Sequence, residues 1–321
     1  MHGRPPPRGA PRGAACTEVV TSVAMGLGVF LYIRLAACFG LVGCIVRLCV
    51  ALCFFFAATH RGYLCEFARR MCPALLRHHN AQDRKIWWWF AFVKYGAVAA
   101  LEVCTCIARL AVGHVSESFI TWVPALLLAG NIFACVVVEA RIAFCYRKYR
   151  AASVASGALI NALTGSVLTL CVIHEATNTP AAALHDGFSY NHFSTFVPAY
   201  MWWNIKFASV AQDNATVWHI GHSHAIAFLS WYFFDTDYMD YRVPALHYHF
   251  SIGLIAEGIK RSGSSRSNDS GRMTIMQRVG YGAFYDHFMK EAWMIVTAAC
   301  SAACTTVHVF SYVTIDPNKS I

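Results

Sequence analysis

Charge is scarce in this sequence. Charged side chains make up 13% of its 321 residues, about half the share of an ordinary soluble domain, and acids are the rarer sign, with 17 Asp and Glu against 26 Lys and Arg. So little charge cannot cover the surface of a water-soluble body of this length. Chemical signatures are missing as well. There is no phosphate-cradling Gly-rich loop ending in Gly-Lys-Ser/Thr, no dinucleotide fingerprint, no His-Glu-x-x-His and no Gly-x-Ser-x-Gly, which excludes ATP-driven and serine-hydrolase chemistry of the usual kinds. Alternating short apolar segments are lacking too, and with them the pattern of a membrane β-barrel.

What is abundant is apolar sequence, 57% of the chain, gathered into long runs. An α-helix needs about twenty apolar residues to cross a hydrocarbon core of roughly 30 Å. The runs Val19–Ala58 (long enough for two helices), Ile86–Val112, Phe119–Val138, Val154–Ile173, Phe193–Val210, His219–Phe234, Val243–Ile259 and Trp293–Ile315 are candidates. The expected fold is all-α, a polytopic transmembrane helical bundle of seven to nine spans. Residues 1–18 read as a basic, Pro/Gly-rich tail, 19–315 as one transmembrane domain and 316–321 as a short C-terminal tail. The first long run is expected to turn near Gly40–Gly43, with Arg34 and Arg47 snorkelling to one interface.

The net charge of +9 follows topology rather than nucleic-acid binding. Basic residues collect in alternate connectors: Arg61, Arg69, Arg70, Arg77, Arg84 and Lys85; Arg147, Lys148 and Arg150; Lys260, Arg261, Arg266, Arg272 and Arg278. The connectors between them are poor in positive charge. The positive-inside rule puts the basic set on the cytoplasmic or matrix side. The expected partners are the lipid bilayer and, through the small-residue face Ala298, Ser301, Ala302 and Thr305, other membrane subunits. Most of the fourteen cysteines lie in apolar runs, where cysteine acts as a small hydrophobe.

Ionisable residues inside spans are costly and point to function. Lys94, Glu102 and Arg109 share one run, and Glu102 and Arg109 lie about two turns apart, roughly 10 Å. Each therefore needs a partner on another helix or a water. Glu139 and Arg141 are expected to reach an interface. Lys206 stands among aromatics in Tyr200-Met201-Trp202-Trp203-Asn204-Ile205-Lys206, and it is expected to snorkel or to pair with a carboxylate such as Glu102, in preference to holding a cofactor as a Schiff base.

The densest polar stretch runs from His174 to His249. His219 and His222, three apart, share one helical face and can hold one ion. His247 and His249 converge only on an extended backbone. His219 and His224 match the His-x4-His spacing of the histidine boxes of membrane di-iron desaturases, but no His-x2-His-His follows, so the chain is not assigned to that family. The favoured reading is a membrane-embedded lipid-modifying enzyme with His219, His222 and Glu102 as catalytic groups. His219, His222, His247 and His249 are its metal ligands, and iron or zinc the ion. The alternatives are a non-catalytic subunit of a membrane complex, and an ion or small-molecule transporter lined by Glu102, Arg109 and Lys206.

Overall fold

A computed structural model describes residues 12–59, 81–110, 116–148, 152–178, 193–210, 214–234, 241–248, 251 and 291–314, without the side chains at several helix ends. The described residues form nine helices and no strand. In chain order they are α1 (Arg12–Cys38), α2 (Gly40–Thr59), α3 (Ala81–Leu110), α4 (Glu117–Lys148), α5 (Ala152–Asn178), α6 (Phe193–Val210), α7 (Asn214–Phe234), α8 (residues 241–248) and α9 (Glu291–Thr314).

Four of these are long and apolar enough to cross a membrane: α2 over Gly40–Ala57, α4 over Thr121–Phe144, α5 over Ala155–Asn178 and α9 over Met294–Tyr312. Shorter apolar stretches occupy Gly26–Cys38 of α1 and Tyr95–Ile107 of α3. The long N-terminal run is realised as two helices. The break falls at Phe39–Gly40, where Gly40 takes a φ of +52°, a left-handed conformation that costs glycine little.

Residue spacing explains which face each helix buries. On α4, Ala125, Leu128, Ile132, Cys135, Glu139 and Ile142 are all buried, at intervals of three and four, the repeat of one helical face. Leu126, Phe133, Val137 and Phe144 point outward. An outer surface of leucine and phenylalanine is what a helix presents to lipid. The inner stripe of α5 is lined by small groups, Ala158, Ala162 and Gly165, and α4 and α5 form the most extensive helix contact. At Gly165 a Cβ would lie 2.5 Å from Nε1 of Trp203 and 2.7 Å from Val136, so this position must stay bare for the indole to seat.

The last helix, α9, packs on α6 and α5. Its small-residue face is spent there, with Ala298, Ser301 and Thr305 buried inside this chain. Along α6, Phe196, Tyr200, Trp203 and Phe207 stack in sequence, with ring centroids 5.4, 6.0 and 6.2 Å apart. This aromatic ladder is the spine of the core.

Candidate functional site

Among the described residues, charged and polar side chains gather in the interior around three buried cations, Arg47, Lys206 and Arg242. Each gathering is built by residues lying on the same stripes as the apolar core.

The first joins α2, α3 and α8. Arg47 is 2% exposed and Glu102 fully buried. The guanidinium donates from Nε to Oε1 at 3.2 Å, and from Nη2 to Oε1 and Oε2 at 3.0 and 3.1 Å. The Tyr248 hydroxyl donates to the same carboxylate at 3.4 Å, and the Cys106 thiol at 3.8 Å. One turn along α2, the Ala51 carbonyl accepts a hydrogen bond from Nε2 of His247 at 3.1 Å. A proton on Nε2 leaves Nδ1 as the bare ring nitrogen, and that atom is buried without a hydrogen-bond partner. The His247 ring stacks on Tyr95, whose hydroxyl lies 2.6 Å from Ser251.

The second place joins α4, α5, α6 and α9. Asn161 donates from Nδ2 to both oxygens of Glu139, at 2.8 and 2.7 Å, and to the Trp203 carbonyl at 3.1 Å. Trp203 Nε1 donates back to the Asn161 carbonyl at 3.0 Å, and Ser301 donates to Asn161 Oδ1 at 2.9 Å. Lys206 is fully buried beside them. Its ammonium nitrogen has no hydrogen-bond partner, and Glu139 is the negative charge acting on it. Gly157 opens the space: a Cβ there would lie 3.0 Å from Lys206 Cε.

The third joins α6, α7 and α8. Arg242, buried on α8, donates from Nη1 to Ser223 on α7 at 2.8 Å. It also lies over the Tyr200 ring, 5.9 Å from its centroid. His224 packs edge-on against the same ring at 5.7 Å.

These places differ from the sequence expectations at definite points. Arg47 does not snorkel. It turns inward, because Glu102 offers two oxygens in the planar geometry a guanidinium matches. Glu139 does not reach an interface, since it continues the buried stripe of α4. The carboxylate beside Lys206 is Glu139 and not Glu102, which Arg47 occupies. Glu102 does find its partner on another helix, as its distance from Arg109 required, and Arg109 itself is half-buried near the end of α3.

His219 and His222 lie in α7, but their side chains are outside the described residues. His249 is outside them altogether. Residues 241–248 are helical rather than extended. Among the described residues no three of His, Cys, Asp and Glu are grouped to hold a metal ion, and His219, His222 and His249 do not enter that count.

Sequence reasoning missed Asn161, Arg242 and Tyr248. A signal existed for the first. Asn161 sits three residues after the buried Ala158 and seven before the buried Leu168, inside an apolar stripe where a lone amide demands a partner. No protein-family model, no curated protein and no solved structure matches the chain.

Proposed function

We propose that this chain, a helical membrane protein that buries Arg47, Glu102, Glu139 and Lys206 inside its own bundle, is a transporter moving protons or a small ion past Glu102, Arg109, Glu139 and Lys206. Ionisable residues that face a bundle interior are those that form ion pathways and proton relays. The observation that carries the reading is Lys206. Its ammonium is fully buried and makes no hydrogen bond, with Glu139 as the opposing charge. Unlike a guanidinium, an amine can release and regain its proton, so one proton has two resting places between Lys206 and Glu139. A subunit built to meet partner helices would carry its in-span charges outward, whereas Glu102, Glu139 and Lys206 are buried inside this chain. In this reading the basic connectors face the cytoplasm or matrix.

The test is flux in sealed vesicles holding the purified chain and a pH-sensitive dye. Wild type is expected to dissipate an imposed proton or cation gradient faster than protein-free vesicles. Lys206→Met and Glu139→Gln are each expected to return the rate to that of empty vesicles, while the detergent-purified variants stay monodisperse. Wild-type vesicles that hold proton, sodium and potassium gradients as long as empty ones would overturn transport.

A second reading, the lipid-modifying metalloenzyme, is favoured by one observation. His247 presents a buried, unbonded Nδ1, and His219 and His222 start from one face of the helical α7. It predicts iron or zinc near one ion per chain in the purified protein, lost in the His219→Ala/His222→Ala double variant, as read by mass spectrometry of bound metals. Metal-free, monodisperse wild type would remove this reading.

A further inference from the structure

We propose that Arg242 is the positive centre of an anion-binding site, closed by Ser223 of α7 and the ring of Tyr200 on α6, that takes one small monovalent anion of the chloride class. The other buried cations of the bundle are balanced. Arg47 has the Glu102 carboxylate and Lys206 has Glu139. Arg242 is 2% exposed, and no carboxylate among the described residues bonds it. Among the described residues its neighbours are one hydroxyl, bonded at 2.8 Å, the face of one phenol ring and the imidazole of His224. None of these carries a negative charge. Its Nε is buried without an acceptor.

A guanidinium cannot escape this by losing its proton. Lysine in the same position could become neutral; arginine stays charged and keeps five N–H donors in a planar fork. Taking such a group out of water without a counter-charge is strongly unfavourable. The charge that completes the site is therefore a single negative one. Burial excludes a large organic anion, and the bond to Ser223 already fixes one edge of the fork, leaving the Nε edge to the ion. The site is separate from Lys206 and Glu139, and binding can be read without transport, so failure of one leaves the other standing.

The test is thermal unfolding of the purified full-length chain in an uncharged detergent, with sodium chloride replaced stepwise by sodium gluconate at constant ionic strength. The midpoint of wild type is expected to rise with chloride and saturate. Arg242→Met removes the charge that needs the ion. It is expected to lose the chloride dependence and to be at least as stable as wild type in gluconate, because a buried unbalanced charge has gone. Ser223→Ala, a milder change, is expected to keep the fold and move half-saturation to higher chloride. Equal wild-type midpoints in both salts would overturn the site. So would an unchanged chloride response in Arg242→Met or, should that variant not fold, in Ser223→Ala. Two further outcomes would also refute it: full stabilisation by added anionic phospholipid with none by chloride, which makes the ligand a headgroup phosphate, and a chloride response that is absent in wild type and appears only when the acids of the α7–α8 connector are neutralised in an Asp235→Asn/Asp237→Asn/Asp240→Asn variant, which makes those carboxylates the counter-charge.

Discussion

Glu102→Ala is expected to lower stability by about 3–5 kcal/mol, the range for removing one partner of a buried ion pair. The carboxylate takes three contacts from Arg47 and further ones from Tyr248 and Cys106. Truncating it strands a guanidinium that is 2% exposed and cannot discharge. The same argument predicts that the loss comes from the orphaned charge more than from the missing attraction. Arg47→Met combined with Glu102→Leu should then recover most of the stability, since an apolar pair of similar volume is often neutral or better in place of a buried ion pair. Equilibrium unfolding in mixed micelles of wild type, single and double variants measures both effects. A single variant within about 1 kcal/mol of wild type, the value of an exposed pair, would mean that Arg47 reaches water after all.

The second large effect is expected at Gly43. Here α2 passes so close to α1 that a Cβ would be driven into the backbone carbonyl of Ala36. Backbone cannot swing aside as a side chain can, so the two helices must separate. Gly43→Ala is expected to cost about 3 kcal/mol, at the upper end for overpacking. Gly28 on α1 is the matched control. Nothing lies within 4 Å of its Cβ position, and Gly28→Ala should be neutral or stabilise by up to about 1 kcal/mol through helix propensity. The two variants are compared by the same unfolding measurement. If they behave alike, the close approach of α1 and α2 is absent in the membrane.

The helices and their lipid-facing sides are legible because periodicity reports burial directly. The stripe Ala125, Leu128, Ile132, Cys135 follows from residue spacing alone. Glu139 is readable by the same rule, as the next position on that stripe. Its nearness to the basic residues at 147–150 points instead to an interface, and phase on the helix outweighs that nearness. Arg47 is different. Snorkelling and inward pairing leave the same local trace, an arginine in an apolar run, and only the approach of α3 decides between them. The histidine stretch shows how closeness in sequence and closeness in space can part. Of its histidines whose side chains are described, His174, His224 and His247 lie on three different helices, α5, α7 and α8.

The order of synthesis gives the Asn161–Ser301 bond a meaning in time. The two residues are 140 positions apart, and Ser301 rides on the last of the nine described helices. At a translation rate of about 5–20 residues per second, that separation corresponds to roughly seven to thirty seconds. For that interval α4 and α5 are made while Asn161 still lacks the hydroxyl that caps its carbonyl oxygen, and Thr195 lacks its contact with His308. The nascent bundle therefore carries an open polar seam down one side until α9 arrives to close it. During that window the half-built protein offers the strongest handle to chaperones and to degradation, and variants that slow the insertion of α9 should lower yield before they lower the stability of the finished molecule.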